Sequence, residues 1–207
     1  MATTPLFPLN KALFPAGVLH LRIFEVRYLD MIRACLAERR EFGVVALLQG
    51  NEVRTPEGQE VFARIGTLAR IEYSDATAPG LIQLRCVGTS RFRVRSSWQG
   101  RYGLWMGEVD AVDDDPVQEV PVSLQASADA LGQFIAELQR QGVAPSAMPI
   151  VPPFRLDEAG WVADRWSELL PLMAEDATRL LGVADPIARL TEIQGLLAQR
   201  GLLVSKS

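Results

Sequence analysis

The chain holds one histidine and two lysines among its 207 residues. A lone His20 excludes a multi-histidine metal centre. Neither Lys11 nor Lys206 has a glycine before it, so no GxxxxGK(S/T) phosphate loop exists. HExxH, CxxC and GxSxG patterns are missing too. The only cysteines, Cys35 and Cys86, lack metal-type spacing and are expected to be buried and reduced. Long apolar runs are also absent: VVALL at 44–48 is far too short to cross a bilayer. The opening MATTPLFPLNKALFP has prolines where a signal peptide needs an apolar helix, so a cytoplasmic protein is expected.

What is present is an ordinary globular composition, 48% hydrophobic and 22% charged, enough to build one large domain or two small ones. The formal net charge of −4 is spread unevenly. Residues 1–60 balance, 61–101 carry seven arginines against Glu72 and Asp75, and 102–207 are strongly acidic. Such a step predicts two parts with different surfaces.

The first part reads as strands. Pro8, Pro15 and Gly17 cut LFPLNKALFPAGVLHLRIF into short extended pieces. From Glu25 to Arg40, Val26, Leu29, Ile32 and Leu36 recur at helical spacing, widened by Tyr28, Met31 and Cys35. A buried strand FGVVALL, a polar loop NEVRTPEGQE and three further strands follow: VFARIGTLARIEY, LIQLRCVGTSRFRVRSSW and YGLWMGEVDAV. Short-turn strands with one early helix fit a small, partly closed barrel.

DDDP at 113–116 marks a change of class. Leu124, Ala128, Leu131, Ile135 and Leu138 form a helical stripe with Ser123 as the predicted N-cap and Gly142 as its stop. Beyond the connector APSAMPIVPPF, Val162, Trp166, Leu169, Leu170 and Met173 form another, ended or bent by Pro171. A short helix over TRLL stops at Gly182. Asp185 and Pro186 then cap and start a last helix bearing Ile187, Leu190, Ile193 and Leu197. The predicted class is α+β, with a β-barrel domain at 1–116 and an α-helical bundle at 117–207.

Catalytic groupings are thin. A Cys35–His20 pair is arithmetically open, but Cys35 falls on the apolar stripe of its helix, where core packing is expected. His20 is expected to be a hydrogen-bonded structural residue. Asp113, Asp114 and Asp115 read as a solvated linker, because nothing completes a cation site. In HLRIFEVRYLDM, at 20–31, Arg27 could pair with Asp30, whereas Glu25 and Arg27 are too close in sequence to pair on a helix. Phe24 and Tyr28 would seat the helix on the barrel. The stretch reads as a strand-to-helix joint. No catalytic residue, cofactor or metal site is predicted.

Two stretches offer binding surfaces. In SRFRVRSSW a strand would put Arg91, Arg93 and Arg95 on one face, an anion or RNA surface or else a solvated face paired with Glu108 and Asp110. In AMPIVPPF, Met148, Ile150, Val151 and Phe154 either cover the bundle core or form an adhesive patch, the former being the safer expectation.

The motifs PLFPL and LFPAGVLHLRIFEVRY within 5–28, GTLARI at 66–71 and GTSRFRV at 88–94 resemble the Lon protease N-terminal (substrate-binding) domain family. WVADRWSELLPL and DPIARLTEIQGLL look like the bundle that follows the barrel in its stand-alone members. The resemblance implies a PUA-like pseudo-barrel followed by helices, and a role in capturing protein substrates. Phe24, Glu25, Arg27 and Tyr28 match the family motif, with no catalytic role to carry over. Neither an ATPase nor a protease module is present in these residues, so the expectation is a stand-alone, non-enzymatic member. The leading reading is a protein- or peptide-binding module, such as an adaptor or chaperone-like capture protein, with Trp98, Trp105, Met148, Ile150, Val151 and Phe154 as candidate contacts. The alternative is an RNA-binding protein using Arg91, Arg93 and Arg95. An unfolded or specific protein partner is expected, and no membrane.

Overall fold

A computed structural model describes residues 2–52, 60–144 and 147–203. Most of the predicted polar loop, 53–59, lies outside the described residues. The fold is α+β, as the sequence predicts, with six strands and five α-helices among the described residues. It divides into two compact units, the first of residues 1–114 and 173–181, the second of 115–172 and 182–207.

The first unit contains β1 (Ala2–Leu9), β2 (Val18–Ile23), β3 (Phe42–Gln49), β4 (Val61–Ala78), β5 (Leu81–Gln99) and β6 (Trp105–Ala111), with α1 (Val26–Glu38) between β2 and β3. β1 runs parallel to β3 and antiparallel to β6. β3, β4, β5 and β6 continue antiparallel, so β1, β3, β4, β5 and β6 pair around a closed ring. β5 is long enough to serve twice. Its Phe92–Gln99 half closes the ring on β6, and its Ile82–Val87 part pairs with β2.

Alternation along the strands separates two cores. Inside the ring lie Leu6, Val45, Phe92 and Val94, with Phe62, Trp105 and Val109 packed against them. The interior is tight: a Cβ on Gly66 would stand 2.3 Å from the Val44 carbonyl oxygen and 2.7 Å from the Phe92 ring. Outside, Phe7, Leu19, Ile23, Phe42, Val44 and Cys86 meet Tyr28, Leu29, Met31, Ile32 and Cys35 of α1. β3 is therefore apolar on both faces, which is why FGVVALL shows no alternation. Cys35 and Cys86 are buried and free.

α4 (Ala174–Leu181) belongs with this sheet unit and packs on β3 and β4, although it follows the helical residues in sequence. Its last turn is anchored by Arg91, whose Nη1 donates to the Leu181 carbonyl at 3.2 Å and Nη2 to that of Asp113 at 2.8 Å. A cation at a helix C-terminus meets the negative end of the dipole.

The second unit contains α2 (Gln125–Arg140), α3 (Ala159–Leu169) and α5 (Pro186–Gln199). Ser123 does not cap α2. It sits in a 3-10 turn over Val122–Leu124 and its carbonyl accepts from Gln194 Nε2 at 3.0 Å. Asp185 does cap α5, accepting the Ile187 N–H at 2.9 Å. α3 stops before Pro171, whose ring forces Leu170 into an extended conformation (φ −73°, ψ 141°). Met173 is exposed and lies beyond the helix whose stripe it was expected to join.

The third aspartate of the predicted linker is not merely solvated. Asp115 and Asp164 both pair with Arg189, fully buried, and Arg189 also donates to the Val183 carbonyl at 3.0 Å. Gly160 leaves the room for this, since a Cβ there would approach Asp115 Oδ2 to 2.8 Å.

Candidate functional site

HLRIFEVRYLDM is built as a joint. Glu25 is the residue before α1 and is extended (φ −75°, ψ 136°), which lets its carboxylate turn back to Arg27 Nε at 3.1 Å. The expected Arg27–Asp30 pair does not form, because Asp30 meets Arg33 and Arg27 points into the protein. The Arg27 guanidinium reaches Glu60 at 3.3 Å and donates to the carbonyls of Gly103 and Glu52, each at 3.4 Å. It lies 4.5 Å over the Tyr28 ring, which stacks on Phe7 at 4.0 Å. Trp105 donates its indole N–H to the same Glu60. Burial raises the Tyr28 phenol pKa well above its ordinary value. One guanidinium thus ties α1 to the ends of two loops. Glu25 and Glu60 are both engaged by Arg27, a construction that fixes positions.

Phe24 behaves differently from Tyr28. Instead of seating the helix it is 57% exposed, as is Val26. Beside Phe24 a cleft of about 320 Å³ opens, floored by Phe7, Leu9, Ile23 and Tyr28 and rimmed by His20, Arg22, Phe24, Glu25 and Glu52. His20 is on its exposed rim, not packed inside. Sequence reasoning missed this cleft. Its signal was Phe24, an aromatic residue directly after an apolar strand and outside the helical stripe.

The arginine strand is also redistributed. Arg91 is 3% exposed and turned toward α4, so only Arg93 and Arg95 remain on the outer face. Arg95 is held by Asp110 of β6. Trp98 is 41% exposed, while Trp105 is half-buried, edge-on to Phe62 at 5.1 Å. In the second unit Met148 and Ile150 are buried, and Val151 and Phe154 half-buried. Of the six candidate contacts, Trp98 and Trp105 belong to the first unit and Met148, Ile150, Val151 and Phe154 to the second.

The second unit has its own groove of about 520 Å³, lined by Ala130, Phe134, Glu137, Arg140, Trp166 and Leu202. Among the described residues no group of three or more His, Cys, Asp or Glu is placed to hold a metal ion. No helix among them is long and apolar enough to cross a membrane.

A small closed barrel with a helix on its flank, an apolar cleft at one strand and a separate helical unit define a mixed α+β protein. The family follows from comparison. Residues 3–199 match the model of the ATP-dependent protease La (LON) substrate-binding domain, and the chain belongs to that family. It is 32% identical to a Lon N-terminal domain protein from Xanthomonas campestris, covering 94% of this chain and 98% of that one, with a TM-score of 0.72. The N-terminal domain of a Mycobacterium avium complex Lon protease shares the fold at 16% identity, with a TM-score of 0.60 over 95% of this chain and 98% of that one. No curated protein matches the sequence.

Proposed function

We propose that the chain is a non-catalytic polypeptide-binding module that captures extended segments of protein substrates, acting as an adaptor or chaperone-like capture protein. The observation that carries this is the cleft beside β2, where exposed Phe24 stands over an apolar floor of Phe7, Leu9, Ile23 and Tyr28. Solvated aromatic and aliphatic side chains gain free energy when a partner covers them, and a concave apolar floor supplies shape for a side chain of that partner. Membership of a substrate-binding domain family supports the same reading. Trp98, Val151 and Phe154 remain secondary candidates on the same physical ground of partial exposure.

The test is fluorescence anisotropy of a labelled, permanently unfolded polypeptide titrated with this protein, with a single-stranded RNA run in parallel at physiological salt. Saturable binding of the polypeptide, lost on Phe24→Ser, supports capture at the cleft. Binding of RNA alone would transfer the function to the arginine-bearing strand and overturn the proposal.

A further inference from the structure

We infer that the open edge of β2 is a strand-docking site, to which an extended peptide adds with apolar side chains toward the cleft floor and acidic ones toward Arg22. This deepens the capture reading and rests on it.

β2 is the terminal strand of its sheet and among the described residues pairs only with β5. In an antiparallel ladder alternate residues direct N–H and C=O away from the partner strand, so one row of backbone groups along Val18–Ile23 faces outward. Such a row is a template for another strand. The cleft lies along it. His20, Leu21, Arg22, Ile23 and Phe24 all line the cleft in unbroken succession. Successive residues of a strand point to opposite faces. A cavity lined from both faces, by His20 and Arg22 on one and Leu21 and Ile23 on the other, lies at the margin of β2, along its edge and toward its end at Phe24. Phe7, Leu9 and Tyr28 complete its floor.

Charge selects the occupant. His20 and Arg22 are exposed on the same face of β2, and Arg85 stands opposite His20 in register. Arg85 is bonded to Glu72 at 3.1 Å, whereas Arg22 has no ion pair among the described residues. The acids at the other end of the cleft are engaged, Glu25 with Arg27 and Glu52 with the Asn10 N–H at 2.6 Å. A second copy pairing edge to edge would bring Arg22 beside another Arg22 or His20, which is unfavourable or without gain. A strand carrying acids at alternate positions places a carboxylate beside Arg22 and leaves its apolar residues for the floor.

The probe is a short fluorescent peptide alternating valine and glutamate, titrated with the whole chain, alongside two versions N-methylated at the valines or at the glutamates. The parent peptide is expected to bind, and methylation in one frame to weaken it about tenfold or more while the other frame matters much less, because only one set of amides faces β2. Arg22→Glu should weaken the parent about threefold and strengthen a valine–lysine peptide by a similar factor. Arg22 is exposed, so the variant folds. If an unfolded polypeptide binds but the peptide does not, or both methylated frames bind like the parent, edge docking is overturned and capture stands. If neither polypeptide nor peptide binds, capture falls with it.

Discussion

Arg27 and Glu60 face each other at 3.3 Å with side chains only 3% and 6% exposed. They come from the first helix and from the residue just before β4, 33 residues apart. Around this pair Glu25, Gly103, Glu52, Tyr28 and Trp105 converge, so one ion pair organises the floor and one wall of the cleft. Removing one partner of a buried pair leaves an uncompensated charge, which costs more than the intact pair contributes.

Arg27→Met should therefore destabilise the protein by about 3–5 kcal/mol. Glu60→Gln, which keeps a hydrogen-bonding group beside Trp105 and Arg27, should cost less. Urea denaturation followed by tryptophan fluorescence gives both values, and equal effects of the two variants would contradict the arrangement.

Alkaline pH should unfold the first unit through its buried acids. Burial pushes the Cys86 thiol up to about 12 from 9.0, and raises Cys35 and Tyr28 in the same direction. Below pH 9 the Cys86 thiol is protonated in both states and its contribution is complete. Between pH 9 and 12 the unfolded chain binds fewer protons than the folded one, so stability falls as pH rises. Denaturation midpoints at pH 8 and 10 test the sign. Both thiols should also resist alkylation until the chain unfolds.

Two glycine-to-alanine changes should act in opposite directions. At Gly66 the new Cβ meets a backbone oxygen at 2.3 Å inside the ring, and overpacking of this kind costs about 1–3 kcal/mol. Gly195, exposed in the body of α5 with nothing within 4 Å, should gain up to about 1 kcal/mol. Thermal melts of the two variants decide it.

Asp185→Ala removes the oxygen that accepts the Ile187 N–H and should cost about 1 kcal/mol. Phe24→Ser should leave stability within about 0.5 kcal/mol, because the ring is solvated. The same change should weaken capture of an unfolded polypeptide about tenfold, since the contact exists only in the complex. A loss of stability without a loss of binding would show the ring to be structural.

Class and element order were legible wherever local chemistry decides them. Strand alternation, the helical stripe of α1, the proline that ends α3 and the Asp185–Pro186 start of α5 act through neighbours in sequence, so they read directly. The long motifs at 5–28, 66–71 and 88–94 carried the family resemblance, and the family match is borne out over residues 3–199.

Side-chain direction was decided elsewhere. From the alternation of SRFRVR alone, Arg91 belongs with Arg93 and Arg95, yet it is buried and donates to the Leu181 carbonyl at the end of α4, 90 residues away. Phe24 should have been a wedge under the helix, but the helix begins after it and leaves the ring in water. Helical spacing leaves Arg27 able to meet Asp30, but the extended Glu25 and the distant Glu60 claim it. Local sequence sets which backbone conformation each segment can hold. Which groups are buried, paired or left open depends on the segments that pack against them, and among the described residues the outer edge of β2 is unpaired because the ring closes through β6 and leaves that strand at the margin.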